Sequence, residues 1–193
     1  MSEQPKGKVI IVVAPSGSGK TTIARMLLEE MDKVRFSVSA TTRPARPGEK
    51  HGVDYFFLSE EEFDRKINDG GFLEWEYYNG KRYGTLRSEV DKLMEMGYFP
   101  LLDIEVKGAL NVKRMYGSQS LAVFIQPPSL EELERRLAGR GTEDEQTLAS
   151  RLKLARKEMQ YADRFDHTVV NDELEEAFQQ VKQIVELFIA DKP

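Results

Sequence analysis

Apolar residues recur along this chain in two rhythms. Residues 8–13 and 121–126 (LAVFIQ) form short, nearly unbroken apolar runs, the pattern of strands buried on both faces. GYFPLLDI at 97–104 reads as another, with Pro100 near its beginning or at an edge because proline has no N–H for a ladder. HTVVN at 167–171 ends the strand series. Between these runs the apolar spacing changes to three and four. Ile23, Met26, Leu27 and Met31 mark one helix, a second runs to about Tyr116, and Leu130, Leu133 and Leu137 mark a third. Leu148, Leu152, Ala155 and Met159 mark a fourth, and Leu174, Phe178, Val181, Val185 and Phe188 the last. Ser129 with Glu132, and Thr142 with Glu145, have the spacing of capping boxes. Strands alternating with amphipathic helices predict a three-layer α/β fold around a parallel sheet.

The stretch 35–90 breaks this rhythm. It is rich in Tyr, Phe, Arg and Gly, carries short strand-like pieces (YFFL, FLEWEYY), and has one capped helix opening at Ser59. It reads as a small α+β subdomain inserted in the core. RRLAGRGTEDEQ at 135–146 sets glycines on both sides of Arg140 between two helices, as a mobile lid does. The expected division is a core of 1–35, 91–127 and 161–193, a subdomain of 36–90 and a helical lid of 128–160, all within one domain.

Composition narrows the partners. With 28 Lys+Arg against 33 Asp+Glu, the net charge of −5 argues against a general binder of nucleic acid or anionic membrane. An anionic substrate therefore needs a local cluster of cations. There is no cysteine, which excludes disulfides and thiolate chemistry. The opening MSEQPKGK has no signal-peptide apolar region, and no apolar run is long enough to span a bilayer, so the expected setting is cytoplasmic. The two histidines, His51 and His167, lack the partners and spacing of a zinc site.

The strand at 8–13 runs directly into APSGSGKTT. A glycine-rich turn between a buried strand and a helix aims successive backbone N–H groups into one hollow, and the helix dipole adds positive potential there. A polyphosphate matches this. The pattern G-x-x-x-x-G-K-[ST] is filled by Gly19, Lys20 and Thr21, with Ala14 at the first glycine position. Ala14, Pro15, Ser16, Gly17, Ser18, Gly19, Lys20, Thr21 and Thr22 thus form a candidate ATP site. Lys20 would reach the terminal phosphates and Thr21 would ligate Mg²⁺. Asp103, at the acidic end of LLDIE, stands where such folds put a carboxylate on the metal side.

The second substrate is addressed by SATTRPARPGEKHGVDYFFL at 39–58, where Arg43 and Arg46, a threonine pair and Tyr55 suit a monophosphate, or else form an exposed basic loop. FLEWEYYNGKRYGT at 72–85 adds an acid in an aromatic setting. Thr41, Thr42, Arg43, Arg46, Glu49, Gly52, Tyr55 and Phe57 together resemble the signature of the guanylate kinase family. The resemblance extends from about Lys8 to the last helix.

The resemblance implies a phosphate-loop nucleoside monophosphate kinase fold that converts GMP, with dGMP a further acceptor, to its diphosphate with ATP and Mg²⁺. It assigns Arg43, Arg46, Tyr55 and Tyr83 to the GMP phosphate, and Ser39, Glu74 and Thr85 to guanine. The chemistry of guanine agrees, since N1–H and the 2-amino group are adjacent donors that one carboxylate accepts together. Asp103 and Glu105 join the GMP set, Glu105 replacing the family's usual Asp. Arg136, Arg140 and Arg151 match the arginines that, with Lys20, clamp the transferring phosphoryl group, and Asn171 matches a contact to the adenine end of ATP. Scaffold modules that resemble this family erode the phosphate loop and lid arginines, all of which this chain carries. A kinase for another phosphorylated acceptor is the remaining rival, and Ser39, Glu74 and Thr85 argue against it.

Overall fold

The apolar run at the start of the chain forms β1 (Val9–Val13), every residue of which is buried. The computed structural model describes residues 7–78, 80–138 and 145–191. After β1 come α1 (Lys20–Glu30), β2 (Val34–Phe36), β3 (Ser39–Thr41), β4 (Phe56–Phe57), α2 (Glu60–Asn68), β5 (Phe72–Tyr78) and β6 (Lys81–Leu86). The second half holds α3 (Arg87–Glu95), β7 (Phe99–Asp103), α4 (Val106–Tyr116), β8 (Ser120–Gln126), α5 (Leu130–Ala138), α6 (Glu145–Met159), β9 (His167–Val170) and α7 (Leu174–Ala190).

The main sheet is parallel, in the order β2-β7-β1-β8-β9. An unbroken apolar run suits it because both faces are covered. Ile10 and Val12 turn toward Ile23 and Leu27 of α1 and Phe178, Val181 and Val185 of α7. Val9, Ile11 and Val13 turn the other way, into a cluster with Val90 of α3 and Val106, Ala109 and Val112 of α4. Period two in the strands and period 3.6 in the helices thus meet in three layers. Pro100 is the second residue of β7 and faces Arg35 of the edge strand, near the strand's start as its missing N–H requires.

The second sheet has the order β4-β3-β6-β5. Its core is Ala40, Phe63, Phe72 and Leu86, with the Phe63 ring stacked on Phe72 at 4.4 Å between centroids. The predicted cap of α2 is complete: Ser59 Oγ accepts from the Glu62 N–H at 3.1 Å, and the Glu62 carboxylate accepts from the Ser59 N–H at 2.8 Å.

Several sequence-based boundaries shift. Residues 35 and 36, near the expected start of the subdomain, belong to β2, which pairs with β7 in the main sheet; three residues are too few to show a period. At the other end the small sheet closes at Leu86 and α3 begins at Arg87, so the boundary drawn at 90 falls inside a helix whose Val90 packs in the main core. The capping box at Ser129 is only half made. Ser129 Oγ accepts from the Glu132 N–H at 3.1 Å, but the Glu132 carboxylate instead accepts from Arg135 and Arg136. Arg140 and Thr142 lie outside the described residues. No helix among the described residues is long and apolar enough to cross a membrane.

Candidate active site

The phosphate loop leaves the C-terminal end of β1, in the middle of the main sheet, where a parallel α/β sheet opens a crevice. Gly17 and Gly19 have φ of +94° and +90°, in the left-handed region that a side chain resists. Neither has room for one: a Cβ on Gly17 would meet Leu133 and Leu137 of α5, and one on Gly19 would meet the Asn171 amide. Helix α1 then starts at Lys20 with no side chain capping it, which leaves its positive dipole end facing the loop.

Lys20 Nζ lies 2.7 Å from an Asp103 carboxylate oxygen and 3.5 Å from one of Glu105. Burial disfavours its charge, but the two carboxylates outweigh that and hold the ammonium above the usual lysine range. In this structure the cation thus rests on the carboxylates at the end of β7.

The residues expected to read the base are brought together by strand register. Ser39 of β3 stands opposite Thr85 of β6, which stands opposite Glu74 of β5, so one row crosses three strands. Thr85 Oγ1 donates to Glu74 Oε1 at 2.6 Å, so that hydroxyl already has an acceptor. Glu74 is 9% exposed, and burial pushes its carboxyl above the usual range, against the Thr85 hydrogen bond and reinforced by Glu76 and Glu105. Its other oxygen, Oε2, rests against Gly108 in the first turn of α4, where a Cβ would collide with the carboxylate. Only glycine leaves Glu74 that space. Sequence reading missed Gly108, because a helical glycine gives no signal of what it faces.

Arg43 grips Glu49 bidentately at 2.8 and 2.9 Å and lies 5.3 Å from the Tyr55 ring centroid. Glu49 also accepts from the Arg46 N–H at 2.6 Å, and these bonds hold its carboxyl down at about 2. The threonine pair proves to be scaffolding. Thr41 Oγ1 donates to the Arg82 carbonyl and accepts from the Arg43 N–H, while Thr42 Oγ1 accepts from the Arg82 N–H. Together they tie the arginine turn to β6. Tyr55 and Tyr83 stand 6.1 Å apart, and burial raises the Tyr55 phenol.

One cavity of about 420 Å³ joins these parts. The phosphate loop from Ala14 to Thr22, Ser18 excepted, lines one wall; Ser39, Tyr55, Glu74 and Tyr83 line the opposite one; Asp103 and Glu105 lie between. Thr85 sits buried behind Glu74, while Arg43, Arg46 and Arg151 stay off the lining, Arg46 exposed. Arg136 also faces away: it donates to the Asn171 carbonyl at 2.9 Å and to Glu132. Asn171 is 4% exposed and its amide donates to the Ser18 carbonyl at 2.8 Å, so both residues brace the phosphate loop from behind.

The lining also includes Phe36, Glu76, Tyr78, Leu154 and Glu158, none of them singled out from sequence. Leu154 and Glu158 are one helical turn apart on α6, and Leu154 lies off that helix's apolar stripe. An exposed leucine off the stripe is the signal that was there to find. Glu158 Oε2 is buried and has no hydrogen-bond partner among the described residues. Burial first, then Glu105, through its charge and a hydrogen bond between the two carboxyls, push this carboxyl up to about 7, with Lys20 opposing.

A magnesium ion asks for hard oxygen donors and keeps most of its waters and phosphate ligands. Thr21 and Asp103 are such donors on the same cavity, so the residues present fit it.

A family model described as Guanylate kinase matches residues 6–187. A guanylate kinase of Chlorobium chlorochromatii is 49% identical over 189 residues, covering 98% of this chain and 100% of that one. One from Salinibacter ruber is 52% identical over 187 residues, 96% of this chain and 99% of the other. The crystal structure of guanylate kinase from Anaplasma phagocytophilum superimposes with a TM-score of 0.77 at 32% identity, over 98% of this chain and 89% of that one.

Proposed function

The chain belongs to the guanylate kinase family, and from that premise we propose that it transfers the γ-phosphoryl group of ATP to GMP, giving ADP and GDP. The observation that carries this reading is a single cavity lined by a phosphate loop with Lys20 and by Ser39 and Glu74, with Thr85 bonded to Glu74 behind the lining. A nucleoside monophosphate with its base on that row points its phosphate toward the loop.

A phosphate oxygen of GMP attacks the γ-phosphorus as the bond to the ADP oxygen breaks, the two oxygens being in line. Little covalent work falls to the protein, so positioning and charge supply the catalysis. Lys20 leaves Asp103 for the phosphates. Arg43, Arg46, Tyr55 and Tyr83 take the acceptor phosphate, Arg43 exchanging Glu49 for it. Glu74 accepts from N1–H and the 2-amino group, and Glu105 takes part at the same base. Arg136, Arg140 and Arg151 swing in with the lid to meet the charge on the transferring group. Asn171 holds the loop and takes the adenine end of ATP. Mg²⁺, held by Thr21 and Asp103 largely through water, would neutralise phosphate charge. Closure of the 36–90 subdomain and the 128–160 lid on the core excludes water that would otherwise hydrolyse ATP.

The proposed setting is cytoplasmic purine nucleotide metabolism, feeding GTP supply, with dGMP as a further acceptor. An ADP-release assay over GMP, dGMP, AMP, UMP and CMP tests the reading. GMP should lead by more than a hundredfold in kcat/KM over AMP, because a buried carboxylate facing a base without the paired donors is left unsatisfied, on the order of 3 kcal/mol. Equal turnover of AMP and GMP would remove guanine from the proposal.

A further inference from the structure

Resting on the GMP reading, we infer that Glu158 is a substrate-binding residue that accepts hydrogen bonds from the ribose hydroxyls of the bound monophosphate. Three observations converge on it. Glu158 is 7% exposed, lines the same cavity as the phosphate loop and the guanine row, and has Oε2 buried without a partner among the described residues. A buried carboxylate oxygen without a donor is costly, and in a ligand cavity the natural source of that donor is the ligand.

The position selects which part of the ligand. The charged groups that act on it most strongly are Glu105, Lys20 and Glu76, all of which line or edge the same cavity. Lys20 belongs to the phosphate end, and Glu76 is two residues beyond the base-reading Glu74 on β5. Glu105 spans the two ends, being 3.5 Å from Lys20 and assigned to the base. A nucleotide laid with base on Glu74 and phosphate toward Lys20 passes its sugar along this wall. The sugar brings hydroxyl donors to an edge where the protein offers carboxylates. Because Glu158 rides on α6, the lid contributes a contact to the acceptor as well as arginines to the donor.

The test uses the whole protein at pH 8, where Glu158 is ionised. Binding of GMP, 2′-deoxy-GMP, 3′-deoxy-GMP and 2′,3′-dideoxy-GMP is measured by calorimetry for the wild type, Glu158→Leu and Glu158→Gln. Leucine keeps the bulk and removes both acceptors, whereas the amide keeps one. Glu158→Leu should raise the Kd for GMP about tenfold, the worth of roughly one hydrogen bond to a charged group, and leave the dideoxy analogue within about twofold. Glu158→Gln should fall between, and the wild type should bind GMP tighter than the dideoxy analogue by the same factor. Equal losses for GMP and the dideoxy analogue would overturn the inference and make the carboxylate a matter of charge or lid packing. In either case wild-type turnover of GMP with ATP is read separately, so a failure of the kinase reading itself would be recognised as such. Thermal melting of each variant identifies any that fails to fold.

Discussion

The two walls of this cavity that we assign to phosphate and base are built in opposite ways. The phosphate wall is one continuous segment, Ala14 to Thr22, whose shape comes from two left-handed glycines and the end of one strand. The base wall is a row across three strands, in which Ser39, Thr85 and Glu74 meet only because β3, β6 and β5 hold one register. A contiguous site is fixed by local chemistry and survives anything that leaves the strand and helix in place. A register-built site depends on its neighbours, including Gly108 from another element. The two walls should therefore respond differently to substitution.

The largest effect should come from the contiguous wall. Lys20→Ala removes the cation proposed to serve the transferring phosphates, and kcat should fall by roughly a thousandfold or more. Its partner Asp103 is left at the cavity edge, partly exposed, where water replaces the lysine. The melting temperature should therefore move little. Near-normal turnover with ATP would break the assignment of this loop to phosphate.

Glu74→Gln should rank next, with the loss confined to the acceptor. An amide offers one acceptor where the carboxylate offers two, so kcat/KM for GMP should drop by on the order of 3 kcal/mol while KM for ATP holds. Stability should hold or rise, because the buried carboxyl, raised by its burial, is already in an unfavourable place for charge. A parallel loss for ATP would show that the two walls are coupled.

Gly108→Ala separates the walls more finely. The added methyl meets the Glu74 carboxylate, the far end of a flexible side chain, which gives way rather than breaking the helix. KM for GMP should rise about tenfold with kcat nearly unchanged, a displacement of Glu74 worth roughly 1 kcal/mol. The same change should leave ATP binding alone. An unaltered KM would mean that the carboxylate reaches its position without that space.

The contrast also sets what could be read without coordinates. The phosphate loop, the alternation of buried runs and amphipathic helices, and the α2 cap are local patterns, and they stand in the structure where the spacing put them. The row of Ser39, Glu74 and Thr85 was reachable only through the family resemblance, since nothing local tells which strands pair. β2 and β3, at three residues each, are too short to display a period, and α3 went unread although Val90 sits in the core. Arg136 and Asn171 show the limit from the other side. Their chemistry suits phosphate and base, yet this structure binds both into the support of the loop. Glu158 was invisible because a glutamate on an amphipathic helix normally faces water; only packing shows that this one does not.

The smallest expected effect lies on that residue and concerns stability. In the folded protein the Glu158 carboxyl is raised to about 7, by burial first and then by Glu105 and Glu76, with Lys20 opposing. A carboxyl raised on folding binds more protons in the native than in the unfolded state over the interval between its two values. Stability must therefore fall as pH rises from the ordinary carboxylate range to about 7, and flatten above it. The sign is opposite to that of an ion-paired acid such as Glu49, whose carboxyl is lowered. Because Glu158 lines an open cavity, only part of the shift becomes stability, about 1 kcal/mol. Glu158→Gln carries no titrating group there. Urea unfolding of the two proteins at pH 5, 6, 7 and 8 should show them nearly equal at pH 5, with the wild type the less stable by pH 8. Curves that keep a constant separation over this range would place the carboxyl at its ordinary value, in contact with water rather than buried.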